Sequence, residues 1–352
     1  MSEDMLYDLL PAAVPPALYH GWKAHPSFGD AAAELEAALG PGACVDHSMF
    51  GRIEVSGKDR LDLLHRLSTN ALAGLSPHRA AATVFVTDKG RIIDRVLVCA
   101  LDGSLLLLTS PGAEAFLVQW IGKYTITEDI RLNVVTATTV MASLIGPETI
   151  SSFCAATGCA APLPGEITRG GEEGAFTVVR DPGGEFAHVV VPSSRGAALI
   201  GAINASRPGA RWIGWLPYEA YRITRGIPAR PGELNGDHNP LECGLRSAVS
   251  FTKGCYIGQE VIARLDTYGK ERHALASLAL GRPLPGTLPL TLTRGDIPAG
   301  VLTSVSGVPH RGIYGALGIV RRDAVRPGET LVAGEEGATA RLTGFPGGEG
   351  RP

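Results

Sequence analysis

Apolar and polar positions recur with different periods along this chain, and each change of period marks an element. "DAAAELEAALG" from Asp30 predicts a short helix, with Asp30 as its cap, alanines inside, and Gly40 and Pro41 as its stop. In "GRIEVSGKDRLDLLHRLSTN", Gly51 to Asn70, the residues Arg52 to Ser56 alternate as a strand. Gly57 then turns the chain, and Leu61, Leu64, His65 and Leu67 fall at helical spacing. Residues Ala82 to Ser110 hold three apolar runs broken by "DKG" and "LDGS", which predicts an antiparallel meander. Helices follow in "PGAEAFLVQWIGKY" and "GWLPYEAYRITRGIPA", with a further strand and helix set between Thr136 and Val191. "ARPGELNGDHNPLECG", Ala229 to Gly244, is a long polar loop of the kind that more often serves function than mere connection. From His273 onward, short strands alternate with turn residues, predicting a small β-barrel or sandwich, and the tail from Pro346 predicts disorder. The whole is an α+β pattern: a lead-in over 1–41, an α+β region over 42–270 and a β-barrel-like region over 271–345.

Composition narrows the partners. With 352 residues, 45% of them apolar and 19% charged, the chain can bury the cores of two or three domains. A net charge of -3, with both signs interspersed, offers neither a basic stripe for nucleic acid nor a polybasic membrane anchor. The first 25 residues lack a basic start and an apolar core, and no apolar window reaches the length of a membrane span, so a cytoplasmic location is expected. Six cysteines (44, 99, 154, 159, 243 and 255) are too sparse for a disulfide framework, and most are expected reduced and buried.

Familiar motifs fail. Gly51 and Gly57 are separated by five residues where a phosphate loop needs four, and Asp59 stands where the magnesium-binding hydroxyl belongs. Cys154 and Cys159 lack knuckle spacing, and neither a Gly-x-Ser-x-Gly elbow nor a His-Glu-x-x-His helix occurs, so no metal site is expected. What stands out is "TKGCYIGQEVIARL", Thr252 to Leu265. Ile257, Val261, Ile262 and Leu265 share a helical face, which places Cys255 just ahead of a helix N-terminus and two residues from Lys253. That placement fits a nucleophilic or metal-binding thiol; it equally fits a cysteine packed into a glycine-flanked turn. Tyr256 and Tyr268 suit either stacking on a flat ligand or core packing.

"KGCYIGQEVIAR" resembles the signature of YgfZ-type folate-binding proteins, relatives of the glycine cleavage T-protein (aminomethyltransferase). The resemblance extends through "VDHSMFGRIEVSGKDRLDLLHRLSTN", "TDKGRIIDRVLV", "LIGP", "EAYRITRGIP" and "NPLECGLRSAVSF", in the family's order, over roughly residues 42–345. It implies a three-domain cloverleaf: two mixed α/β domains interleaved in sequence, a C-terminal β-barrel, and tetrahydrofolate or a one-carbon derivative in a central channel. It implies as partners iron-sulfur proteins or their assembly machinery, with tRNA modification among the processes touched. By resemblance Lys253, Gly254, Cys255, Gly258, Gln259, Glu260 and Arg264 are signature positions, Cys255 with Lys253 carrying the chemistry. Asn70, Asp94, Arg222, Gln259, Glu260 and Arg264 would contact folate. Two departures stand against aminomethyl transfer: Arg95 replaces the second acid of a T-protein pair, and Thr224 replaces a glutamate two residues after Arg222. An aminomethyltransferase and a non-catalytic folate-dependent adaptor are the rival expectations.

Overall fold

The structure is a computed structural model and describes residues 6–10, 12–206, 211–268, 271–284, 287–335 and 337–346. Apart from Pro346, the tail expected to be disordered lies outside the described residues. The chain forms two units interleaved in sequence, one of residues 1–83 and 95–218, the other of 84–94 and 219–352.

In the first unit the helix Ala31–Leu39 begins as the sequence predicts, with the Asp30 carboxylate accepting from the N–H groups of Ala32 and Ala33 at 3.1 and 3.0 Å. The N-terminal lead-in is knit into this unit. Buried Glu34 accepts from the Ser27 hydroxyl at 2.7 Å, the Phe28 N–H at 2.8 Å and the Gly214 N–H at 2.9 Å, bonds that offset the cost of burying its carboxylate.

Two sheets make the body of the unit. The first runs in the order Ile167–Gly170, Phe176–Arg180, Phe186–Pro192, Thr139–Ile145, Ala43–Asp46, Trp212–Ile213, antiparallel except for the last pair. Phe153 and Leu199, from the helices Pro147–Thr157 and Gly196–Ser206, pack with Leu144, Val178 and Val189 of this sheet in one core. The second sheet is ordered Ala80–Val86, Ile92–Ala100, Leu105–Pro111, Phe50–Ser56, Arg131–Val134, so the predicted meander is real. Leu97, Leu108, Met141 and Val190 join the two sheets in a second core. Gly51 lies inside the strand Phe50–Ser56, with no loop there to cradle a phosphate.

In the second unit six antiparallel strands close into a barrel, settling the choice between barrel and sandwich. Their order is His273–Leu280, Tyr314–Arg321, Ile297–Val305, Leu290–Arg294, Thr330–Ala333, Ala338–Gly344, and the last pairs back onto the first. Inward residues such as Leu278, Leu292, Leu302, Leu331 and Leu342 fill it, alternating with exposed positions along Ala338–Gly344. The fold is thus mixed α/β with a closed barrel near the C-terminus. Among the described residues no helix is long and apolar enough to cross a membrane.

Candidate functional site

The signature stretch belongs wholly to the second unit. Its helix spans Gln259–Tyr268, so Cys255 stands four residues ahead of the first helical residue, farther than the sequence pattern implies. A helix dipole acts within about one turn, and along the chain Cys255 stands outside the helix's first turn. Cys255 is exposed, and a Cβ added at neighbouring Gly254 would meet nothing within 4 Å, so the packed-turn reading does not hold. Of the other cysteines, Cys44, Cys99, Cys154 and Cys243 are buried and Cys159 is half-buried.

Lys253 places its Nζ 4.9 Å from the ring centre of buried Tyr256, a cation–π contact, and burial lowers this amine from its ordinary range to about 8. Gly258 explains how the helix starts where it does. Its φ is +78°, and a Cβ there would lie 2.5 Å from the Thr87 carbonyl oxygen and 3.1 Å from the Gly90 Cα. Only glycine lets the backbone approach the 84–94 hairpin end this closely.

The expected apolar face of the helix divides. Ile262 is fully buried, whereas Val261 is 38% exposed because it opens onto a cavity of about 860 Å³. Glu260, Val261, Arg264 and Leu265 form one wall of that cavity. The hairpin end contributes Lys89 and Arg91, and the long loop contributes Asp237, His238, Asn239 and Glu242. Arg272, His273 and barrel residues including Val301, Ile319 and Arg321 complete the lining.

The loop is shaped by Asn239, whose side-chain oxygen accepts from the N–H groups of Leu241 at 3.0 Å and Glu242 at 3.1 Å. Glu242 is in turn well satisfied: it accepts from the Asn239 N–H at 3.1 Å, and it lies 3.3 Å from His273 Nδ1 and 3.9 Å from Arg91. Arg91 also donates to the Asp237 carbonyl at 2.6 Å, and Arg321 pairs with Asp323 at 2.9 Å. Burial lowers His238, against the opposing pull of Glu242. The side chains of Lys89, Glu260, Arg264 and Arg272 have no hydrogen-bond or ion-pair partner among the described residues. An apolar wall bordered by uncommitted charges can hold a flat organic anion.

The remaining expected contacts are placed elsewhere. Arg222 is buried, paired with Glu219 at 2.5 Å and Glu233 at 3.5 Å, and donates to Ser304 Oγ at 3.1 Å. Thr224 donates to the Ala220 carbonyl at 2.8 Å, within its own helix. Asp94 is completely buried, and half-buried Gln259 is not among the cavity residues. In the first unit Asn70 donates to the Ala82 carbonyl at 2.7 Å and accepts from the Ala71 N–H at 2.8 Å. Also in that unit, Arg95 pairs with Asp181 at 3.1 Å; burial works to raise the Asp181 carboxyl, but Arg95 and His188 outweigh it and hold it below its ordinary range. Nearby, Ser143 Oγ lies 2.8 Å from Nδ1 of both His188 and His47, and burial keeps both rings neutral at pH 7, His188 at about 4.

Sequence reasoning therefore reaches Glu260 and Arg264 but misses Lys89, Arg272 and Glu242 as their neighbours. The one signal that points toward the cavity is the long polar loop, which supplies four of its residues.

Interleaved α/β segments ending in a closed six-stranded barrel define a T-protein-like class of protein. Residues 14–158 match the family model of the GCVT N-terminal domain. The chain is 32% identical over 311 residues to a putative chloroplastic transferase of Arabidopsis thaliana, covering 83% of this chain and 68% of that protein. It is 25% identical over 336 residues to an aminomethyltransferase of Mycobacterium leprae, covering 91% and 89%. The glycine cleavage system aminomethyltransferase T from Bartonella henselae has the same fold, with a TM-score of 0.82 at 16% identity over 96% of this chain and 95% of that one. The chain belongs to the glycine cleavage T-protein (aminomethyltransferase) superfamily.

Proposed function

We propose that this protein is a YgfZ-type, folate-binding member of the superfamily that supports iron-sulfur cluster enzymes in the cytoplasm and does not transfer aminomethyl groups. The observation that carries the reading is the exposure of Cys255 at the head of the signature segment, where a thiol is free to meet a partner protein. The two departures from the T-protein pattern weigh the same way. Arg95 is taken up by Asp181 and Thr224 by its own helix, so neither position presents the acid that aminomethyl transfer would use.

Of the residues expected to hold folate, Glu260 and Arg264 are uncommitted and open on space large enough for it. Arg264 would pair with a tail carboxylate and Glu260 would accept from a ring N–H. Arg222 and Asn70 are spent on protein partners. Tetrahydrofolate, when bound, supplies a carrier for a one-carbon unit. The second reading, an aminomethyltransferase, is favoured by the long match to proteins of that name.

Calorimetric titration with tetrahydrofolate, followed by a glycine cleavage assay with a lipoyl carrier, tests the choice. Saturable binding without ammonia release is expected. Ammonia release at rates typical of an enzyme restores the second reading, and no binding removes folate from both.

A further inference from the structure

The first unit holds a pair of cysteines that the proposed function does not use. The helix Pro147–Thr157 ends at Gly158, whose φ of +71° is left-handed. The Gly158 N–H bonds back to the Ala155 carbonyl at 3.4 Å, and the Cys159 N–H to the Cys154 carbonyl at 2.9 Å. Two such bonds close a helix around a left-handed glycine, and they bring together the side chains on either side of the closure. Any two apolar residues would serve that contact; here both are cysteines.

Cys154 is buried in the core beneath the first sheet, and half-buried Cys159 packs against the same core. The two thiols are hydrogen-bonded to each other. Thr157 sets the direction of that bond. Its hydroxyl has one proton, given to the Phe153 carbonyl at 2.8 Å, so its oxygen accepts from the Cys159 thiol at 3.6 Å and Cys159 accepts from Cys154. Burial, helped by this bond, pushes the Cys154 thiol up to about 12, against the opposing pull of the Arg180 guanidinium. On the other side, a Cβ at Gly170 would lie 2.9 Å from the Cys159 Cβ and 3.0 Å from its Sγ, so the glycine lets the strand Ile167–Gly170 close against the cysteine. A disulfide needs Cα atoms about 4.4–6.8 Å apart. A shared backbone hydrogen bond and a shared thiol hydrogen bond bring the pair that close without moving the helix end.

We propose that Cys154 and Cys159 are a redox-active dithiol that a hydroperoxide converts to a disulfide across the end of the helix, Cys159 reacting first and Cys154 resolving it. The order follows from access, since Cys159 is half-buried and Cys154 is shut in the core. In the first step the Cys159 sulfur attacks a peroxide oxygen and the O–O bond breaks. The thiol proton goes to the departing oxygen, leaving a sulfenic acid and one molecule of water or alcohol. In the second the Cys154 sulfur attacks the Cys159 sulfur, the S–S bond forms and the S–O bond breaks, and the Cys154 proton leaves with the hydroxyl as water. The pair loses two electrons and the peroxide gains them. Contact between the two sulfurs makes the second step effectively unimolecular, which offsets the poor nucleophilicity of a buried thiol. A small dithiol reverses the change by exchange.

Both cysteines fall in one tryptic peptide, residues 132–169, so the test is a mass measurement. The full-length protein, as wild type and as Cys255→Ser, is treated with hydrogen peroxide, blocked with iodoacetamide after unfolding, and digested. The peptide is expected without alkyl groups and lighter by two hydrogens, with both alkyl groups regained when dithiothreitol precedes the block. Cys159→Ser should leave Cys154 fully alkylated, because a buried thiol alone does not meet the peroxide. Cys154→Ser should stop at the Cys159 sulfenic acid, which dimedone labels. Circular dichroism checks each variant, and should Cys154→Ser fail to fold, the other two results decide. The proposal is overturned if the peptide keeps both alkyl groups at a peroxide level that oxidises Cys255 in the wild type. It is equally overturned if Cys154 is oxidised in Cys159→Ser as readily as in the intact pair, or if the oxidised cysteines of Cys255→Ser join two molecules on a non-reducing gel.

Discussion

Lys253 sits half-buried against Tyr256, and burial disfavours its charged form, so that it titrates near pH 8. Because its folded value is lowered, folding releases a proton between pH 8 and the ordinary lysine range of about 10.4. Its contribution to stability is complete above that range and is lost as the pH falls through 8. The same shift makes it a nucleophile under mild conditions. Brief acetylation read by peptide mass spectrometry should show Lys253 reacting half-maximally near pH 8, ahead of Lys89 and the other lysines; half-maximal reaction near pH 10 would refute the burial argument. The identity of the signature residues was legible in the sequence, but their surroundings were not. Nothing in "KGCYIG" says that three residues separate the thiol from the helix, or that the lysine turns to the tyrosine.

The helix Gln259–Tyr268 shows both the reach and the limit of periodicity. Its existence was legible from the spacing of apolar residues; its two apolar faces were not, because a cavity wall and a packed core select the same side chains. Its start depends on Gly258, where a substituted side chain would meet both an unfavourable positive φ and the Thr87 carbonyl. Gly258→Ala should therefore cost about 2–4 kcal/mol, measured as a lower midpoint in urea with an unchanged slope. An unchanged midpoint would mean that the close approach is relieved by a small backbone shift. In the barrel, the strands from His273 to Arg321 were legible from their turns, while Thr330–Ala333 and Ala338–Gly344 gain their definition from pairing with each other and with the distant strands Leu290–Arg294 and His273–Leu280.

At the scale of the molecule, residues 84–94 belong to the second unit although they lie in the middle of a meander whose other parts belong to the first. No local pattern encodes that exchange, and the expected division, two interleaved α/β domains over 42–270 with a separate barrel, does not contain it. The cavity was hidden for a related reason: its lining comes from stretches as far apart as Lys89 and Arg321, and uncommitted charges have no period. What the fold brings together in the second unit is an exposed thiol and a charged cavity joined by one short helix. If the thiol is the working group, its loss should spare everything except the service to iron-sulfur enzymes. Cys255→Ser removes only an exposed sulfur, so the variant should fold and bind tetrahydrofolate like the wild type. Expressed in cells lacking the protein, it should leave the activity of iron-sulfur enzymes as low as an empty vector does, whereas full restoration of that activity by Cys255→Ser would contradict a thiol-dependent role.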